Sequence, residues 1–287
     1  MQMISLVEKS ENRQLLPIDW NSSELPTMPS IAHRLLDMLC RKDMETQDLC
    51  ELISQDPALT AKVLQICNSA LYSFGTEVTS VKHAVVLLGQ KEVIQLAISS
   101  LLAKRFLTVP RELNRHAEAL WNHLFTTATL AREFAVDSEE PDLYTLGILH
   151  DVGWLVLMSQ APKVFLSMSK EQDKGLEELQ DSWGVDHELW GGKLLEKWNL
   201  PEPFQVVALR HHHPMLDAAP PKYLLVIALA NHLANSMGVC LLHVNHVGLP
   251  ESLLNALGLD EKSYREMLEW AQSQEEELAS RSRILAA

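Results

Sequence analysis

The chain has 287 residues, 47% hydrophobic and 22% charged, the balance of a soluble globular protein with one large core or two small ones. Lys and Arg total 24 against 38 Asp and Glu, so the formal charge is −14, which excludes an extended nucleic-acid surface and disfavours an anionic membrane. Cys40, Cys50, Cys67 and Cys240 lack CxxC spacing and read as reduced thiols of a cytoplasmic protein. The first twenty residues are too polar for a secretory leader, and no apolar run reaches the roughly 20 residues that span a bilayer.

In chain order, residues 1–24 show no clear period and read as a loosely attached leader. Leu25-Pro26-Thr27-Met28-Pro29 is turn-rich, and Ser30 is placed to cap a helix running to about Cys40. A second helix is expected over Thr46 to Ser54. Asp56-Pro57 then supplies a strong N-cap and a proline suited to the first helical position, opening a stripe of Leu59, Val63, Leu64 and Cys67. Ser80 caps the next helix, Gly89 is placed to stop it, and Lys91 to Phe106 is amphipathic. Pro110 breaks the pattern and divides the chain into two helical halves, 25–110 and 111–236.

The second half opens with a long helix over Arg111 to Ala135. After Pro141 comes one central helix, Leu143 to Met158, apolar all round except for His150-Asp151. A buried carboxylate is costly without a partner or a metal, so Asp151 needs a cation, a hydrogen-bond donor, or both. Gly147, one turn below, lets another helix or a bound group come close. Glu171 to Trp183 is polar and reads as exposed, with Gly184 ending it. Asp186 caps a helix carrying His187 and Trp190, whose Gly191-Gly192 pair permits close helix packing. Pro201 starts a helix ending in His211-His212-His213-Pro214. Residues 214–221 read as a loop, Tyr223 to Asn235 as a helix, and Gly238 to Pro250 as partly extended. Residues 237–287 form a C-terminal extension with an acidic amphipathic helix over Asp260 to Ser280. Period-two alternation is almost absent, so the fold is predicted to be all-α.

His123, the His150-Asp151 pair, His187 and the His211-His212 pair are the candidate site residues. Ligands spread over separate helices are how a helical core builds a metal site. A hydrogen-bonded structural cluster with no metal is the alternative. Taken singly, His123 reads as a half-buried core residue, His187 as a helix-terminus residue, and the histidine triple as a cationic last turn favoured by the helix dipole.

The motifs Ile53-Ser54-Gln55-Asp56-Pro57, Cys67-Asn68-Ser69-Ala70, Ala84-Val85-Val86-Leu87-Leu88-Gly89, Leu120-Trp121-Asn122-His123, Gly147-Ile148-Leu149-His150-Asp151-Val152-Gly153, His187-Glu188-Leu189-Trp190-Gly191 and His211-His212-His213-Pro214 together resemble the HDOD family, over about Leu25 to Asn235. That family is a bacterial signal-transduction branch of the HD phosphohydrolase superfamily, related to the HD-GYP cyclic-di-GMP phosphodiesterases. The resemblance implies an HD-type all-α fold. It places His123, His150, Asp151, His187, His211 and His212 at ligand-like positions for a divalent metal (iron, manganese, zinc or magnesium). In the catalytic relatives such metals activate a water that attacks a phosphoester.

The departures are specific. Asn231 stands where the relatives have a further Asp, and Trp154 stands where the hydrolases have a phosphate-contacting Lys. The Gly-Tyr-Pro loop is absent. The first expectation is therefore a non-catalytic or weakly catalytic signalling module acting through a protein partner, a second copy of itself, or a nucleotide ligand. The alternative is a metal-dependent phosphohydrolase, a phosphodiesterase or nucleotide phosphohydrolase, with Asp151 essential.

Overall fold

A computed structural model describes residues 14–39, 44–69, 72, 76–135, 142–171, 173–216, 219–242 and 250–287. Among them there is no strand, and the all-α expectation holds. The first half comprises α1 (Ser30–Leu39), α2 (Thr46–Ser54), α3 (Pro57–Cys67), α4 (Val81–Leu88) and α5 (Gln90–Phe106). Its local signals work as read: the Asp56 carboxylate accepts from the N–H groups of Ala58 and Leu59, and Ser80 Oγ from that of His83. Gly89 ends α4 at a φ of 86°, open to glycine at little cost. Leu35, Leu49, Ile53, Val63 and Ile66 close over α5, each 1% exposed or less.

The second half is built on α6 (Asn114–Glu133), which packs against α7 (Leu143–Leu149) and α13 (Lys222–Ser236). Around them lie α8 (Gly153–Gln160), α9 (Pro162–Met168), α10 (Leu176–Trp183), α11 (His187–Lys197) and α12 (Glu202–Arg210). The expected single helix over 143–158 is two, broken at His150-Asp151-Val152. Backbone contacts set that break. A Cβ on Gly147 would lie 2.5 Å from the Ala128 Cα of α6, and one on Gly153 would lie 1.8 Å from the His187 carbonyl oxygen. Both helices are pressed against neighbours by glycines, and the chain turns between them. Gly192 serves close packing as expected, since a Cβ there would meet the Leu209 side chain at 2.6 Å.

Other expectations shift at the ends. Arg111–Leu113 is a 3-10 turn ahead of α6, and Pro214–Leu216 is another within the segment read as loop. The C-terminal helix expected over Asp260 to Ser280 is two, α15 (Glu261–Ser273) and α16 (Glu275–Ala286), preceded by α14 (Glu251–Leu257). Described residues 238–242 form no strand; residues 243–249 of the segment read as partly extended lie outside the described residues. So do Cys40 and residues 1–13 of the leader. The described part of that leader is attached rather than loose: Leu16 N–H donates to the Gly184 carbonyl at 2.7 Å, and Trp20 lies under Lys193.

One apolar cluster runs through both halves, and a polar seam joins them. Gln95 donates to Asp142 at 2.7 Å, Arg132 to Glu92 at 3.0 Å, and Ser99 pairs with the Tyr144 hydroxyl at 2.8 Å. Helix α16 locks the seam. Lys62 donates to the Ile284 carbonyl at 2.7 Å and the Trp121 indole to the Ser282 carbonyl at 3.1 Å. Among the described residues no single helix is long and apolar enough to cross a membrane.

Candidate metal centre

His123 comes from α6, His150 and Asp151 from the α7–α8 break, His187 from the first residue of α11, His211 and His212 from just beyond α12, and Asn231 from α13. The structure brings all of them to one place. Asp151 Oδ1 lies 3.1 Å from His187 Nε2 and 3.2 Å from His211 Nε2. Its Oδ2 lies 3.5 Å from His123 Nε2 and 3.7 Å from His150 Nε2. The His212 ring is 4.2 Å from that of His211 and 5.1 Å from that of His187. Two overlapping ligand sets share Asp151, one with His187, His211 and His212, the other with His123 and His150; the donor atoms of each lie within 4.8 Å of one another. His123 is 2% exposed, fully buried rather than half-buried. His213 turns away to Glu177, at 3.1 Å.

The far nitrogens fix the chemistry of the near ones. His123 Nδ1 faces the Val239 carbonyl at 2.8 Å, His150 Nδ1 that of Gly147 at 2.7 Å, and His211 Nδ1 that of Val207 at 3.1 Å. His187 Nδ1 faces Gln180 Oε1 at 2.7 Å, and the same oxygen accepts the His187 backbone N–H at 3.0 Å, which fixes the amide's orientation. A carbonyl oxygen only accepts, so each of these Nδ1 atoms carries a proton, and a ring holding that one proton turns a bare Nε2 lone pair toward Asp151. Protonating those nitrogens would crowd charge into a dry space. Burial pushes the imidazole of His150 down to about 3 and also lowers that of His123. Burial alone would raise the Asp151 carboxyl, but once the surrounding imidazoles are protonated their charge, that of His150 and His187 foremost, holds it well below the usual carboxylate range.

Nε2 of His150, His187 and His211 and Oδ1 of Asp151 have no aligned hydrogen-bond partner. A buried set of acceptors without donors is what a cation satisfies, with the Nδ1 contacts as its orienting outer layer. The residues present therefore fit a divalent metal.

A cleft of about 1200 Å³ opens over the cluster. Trp154 stands in its wall, stacked on His187 with ring centroids 4.5 Å apart and planes 10° apart. Asn231, 3% exposed, also faces it, its Oδ1 accepting from Asn235 Nδ2 at 3.0 Å. Three lining residues carried no functional reading in the sequence. Gln180 sits in a helix that looked exposed, yet it is buried and orients His187. His232 lines the cleft one position beyond Asn231. Glu188 accepts the His212 N–H at 3.4 Å, and burial, reinforced by Asp186 and Asp151, pushes its carboxyl up to about 7 against the opposing His211. Adjacency to His187 was its one available signal.

The buried imidazoles predict acid lability of the metal-free protein. An unfolded imidazole takes up a proton below about 6.5, whereas folded His150 does so only near about 3. Between those values the unfolded state holds more protons, so stability falls with pH by about 1.4 kcal/mol per pH unit for each such group. His123 and His212, also lowered, contribute with the same sign, and Asp151 joins them once pH drops through the carboxylate range. Denaturant midpoints measured after chelation should drop steeply from about pH 6.5 to about 5; a flat profile there would show that these rings are not buried neutral.

An all-α fold with histidines and one aspartate converging from separate helices defines an HD-type protein. The chain belongs to the HDOD family, whose domain model matches residues 25–214. An HDOD domain protein of unknown function from Geobacter sulfurreducens superposes with a TM-score of 0.76 at 23% identity, covering 98% of this chain and 96% of its own. A candidate phosphohydrolase from Shewanella amazonensis SB2B superposes at 0.67 and 22%, with 98% of each chain covered. At these identities the likeness establishes the fold alone. An uncharacterized protein of Treponema pallidum (strain Nichols) is 28% identical over 221 residues, 72% of this chain but 42% of that relative's length. The chain thus spans less than half of that relative.

Proposed function

We propose that this chain is a metal-holding regulatory module of a signalling pathway that acts by binding a protein or small ligand and turns over phosphoesters weakly or not at all. One observation carries the reading: among the described residues, the cleft above the cluster is lined by no Lys or Arg, and Trp154, which by the resemblance stands where the hydrolases have a phosphate-contacting Lys, lies in its wall. His123, His150, Asp151, His187, His211 and His212 would hold the metal, and their nitrogen-rich donor set favours zinc or iron over magnesium. A metal so held supplies Lewis acidity and an acidified water. The chain itself supplies orientation, through Gln180 and the backbone carbonyls, and a wall of Trp154 that offers a phosphate no charge.

The alternative, a metal-dependent phosphohydrolase, is favoured by Glu188, whose carboxyl near 7 suits general acid–base work. The test is initial rates on cyclic dinucleotides and nucleoside phosphates after loading with iron, manganese, zinc or magnesium. No metal-dependent turnover is expected. Rates of about 1 s⁻¹ or more that vanish in Asp151→Ala would establish the hydrolase instead.

Asn231→Asp separates metal binding from catalysis. It adds a charge beside the cluster while its oxygen still accepts from Asn235. Metal affinity should rise about tenfold or more by competition against a chromogenic chelator, while hydrolysis stays absent because no described residue lining the cleft is a Lys or Arg that could contact the phosphate. Unchanged affinity would place Asn231 outside the metal's reach.

A further inference from the structure

We propose that the cleft over the histidine cluster selects an organic amine, a cationic head on a short apolar body, in preference to a phosphate-bearing ligand. The proposal deepens the regulatory reading by naming the ligand class of the same cleft, and it is tested independently of turnover.

Charge comes first. Glu177, Glu178, Glu188 and Glu251 line the cleft above Asp151, and no described lining residue is Lys or Arg. Two of the four already have partners: Glu177 pairs with His213 at 3.1 Å, and Glu188 accepts the His212 N–H. Glu178 and Glu251 are exposed residues of the lining, one on α10 and one on α14. A concave site with low-dielectric walls and charge of one sign focuses its potential, here toward cations.

The floor agrees independently. Asp151 and His211 line the cleft and are at least nine-tenths buried, and Asp151 Oδ1 and His211 Nε2 have no aligned hydrogen-bond partner. Both are acceptors, so the floor as well as the rim asks for N–H donors or positive charge. An ionised phosphate offers neither, and its oxygens would meet the Asp151 carboxylate and the His211 lone pair at the floor and four glutamates around it. When a metal occupies the floor, the rim is still acidic and still faces incoming ligand.

The walls supply the apolar part. Leu176, Met215, Leu216, Leu241 and Leu253 line the cleft, with Met215 and Leu216 42% and 47% exposed at its edge. Single exposed apolar side chains need no explanation, but two adjacent ones bordering a large cleft provide a hydrocarbon contact.

The test uses probes that share one hydrocarbon body: hexylamine, hexanol and hexyl phosphate. Calorimetry is run on the full chain after chelation, and again after zinc loading. Hexylamine is expected to bind the metal-free protein about tenfold more tightly than hexanol, and hexyl phosphate not to bind it. The double variant Glu178→Gln/Glu251→Gln changes only exposed side chains and should keep the circular dichroism and melting temperature of the parent. In it the preference for the amine should shrink to about threefold or less. Absence of amine binding, phosphate binding as tight as the amine's without metal, or an amine preference unchanged in the double variant would each overturn the proposal. Phosphoester turnover, measured separately, decides the regulatory reading and leaves this one standing or falling on binding heats.

Discussion

Asp151→Asn should make the chelated protein more stable and the metal-treated protein less stable than the parent. In the metal-free parent, Asp151 is a buried carboxylate whose Oδ1 has no hydrogen-bond partner and whose neighbours present lone pairs. The imidazoles that face it do not depend on it, since Nδ1 of His123, His150, His187 and His211 each meets a carbonyl oxygen. The asparagine keeps the volume, removes the charge and can donate its amide N–H to Nε2 of His187 or His211. Removing a buried unpaired charge and adding a hydrogen bond stabilises by about 1–3 kcal/mol. With metal the balance inverts. A ligand that binds only the folded state adds about 4 kcal/mol at a thousandfold excess over its Kd, and the variant forfeits most of that. Denaturant unfolding of both proteins, with chelator and with zinc, at a pH above the ordinary imidazole range, reads the crossing directly. A chelated parent more stable than the chelated variant would mean that donors, not lone pairs, surround Asp151, and the cluster would then be a structural hydrogen-bonded one.

The second large effect belongs to Gly153→Ala. The added Cβ would lie 1.8 Å from the His187 carbonyl oxygen, 2.7 Å from its carbon and 2.8 Å from the Gly191 nitrogen. All three are backbone atoms, so no rotamer change makes room, and α8 must move away from α11. Overpacking of this kind costs about 3 kcal/mol or more. The displacement falls on His187 and on Trp154, which is stacked on it, so metal stoichiometry should drop together with the urea midpoint. Gly175→Ala is the matched control, since a Cβ there meets nothing within 4 Å, and its stability should stay within about 0.5 kcal/mol of the parent. Equal midpoints for the two variants would show that α8 and α11 are not held in this contact.

The features read correctly from sequence are those written locally. Asp56, Ser80 and Asp186 are capping residues by chemistry, and each caps its helix. Helical spacing and a familiar set of motifs brought His123, His150, Asp151, His187, His211 and His212 together on paper, and the fold brings them together in space. What escaped depends on distant partners. Gln180 is one polar residue in a polar helix until His187 is placed beside it. The break at His150–Val152 has no Pro to mark it, because the contacts that impose it come from α6 and α11. The acidic C-terminal segment reads as amphipathic, but its pattern does not say what covers the apolar side. Tyr264, Ala271, Leu278 and Leu285 are buried against the chain itself.

Four imidazoles of the cluster, those of His123, His150, His187 and His211, are tethered through Nδ1 to a main-chain carbonyl or to Gln180, so their positions are those of segments of backbone and not of free rotamers. Val239, Gly147, Val207 and Gln180 lie in four different parts of the second half. The affinity of the cluster for a cation is therefore a gauge of how those segments are spaced. Anything that shifts them on docking must change that affinity, and thermodynamic reciprocity requires the cation to change the docking affinity by the same factor. A centre that performs no reaction can, on those terms, still transmit information.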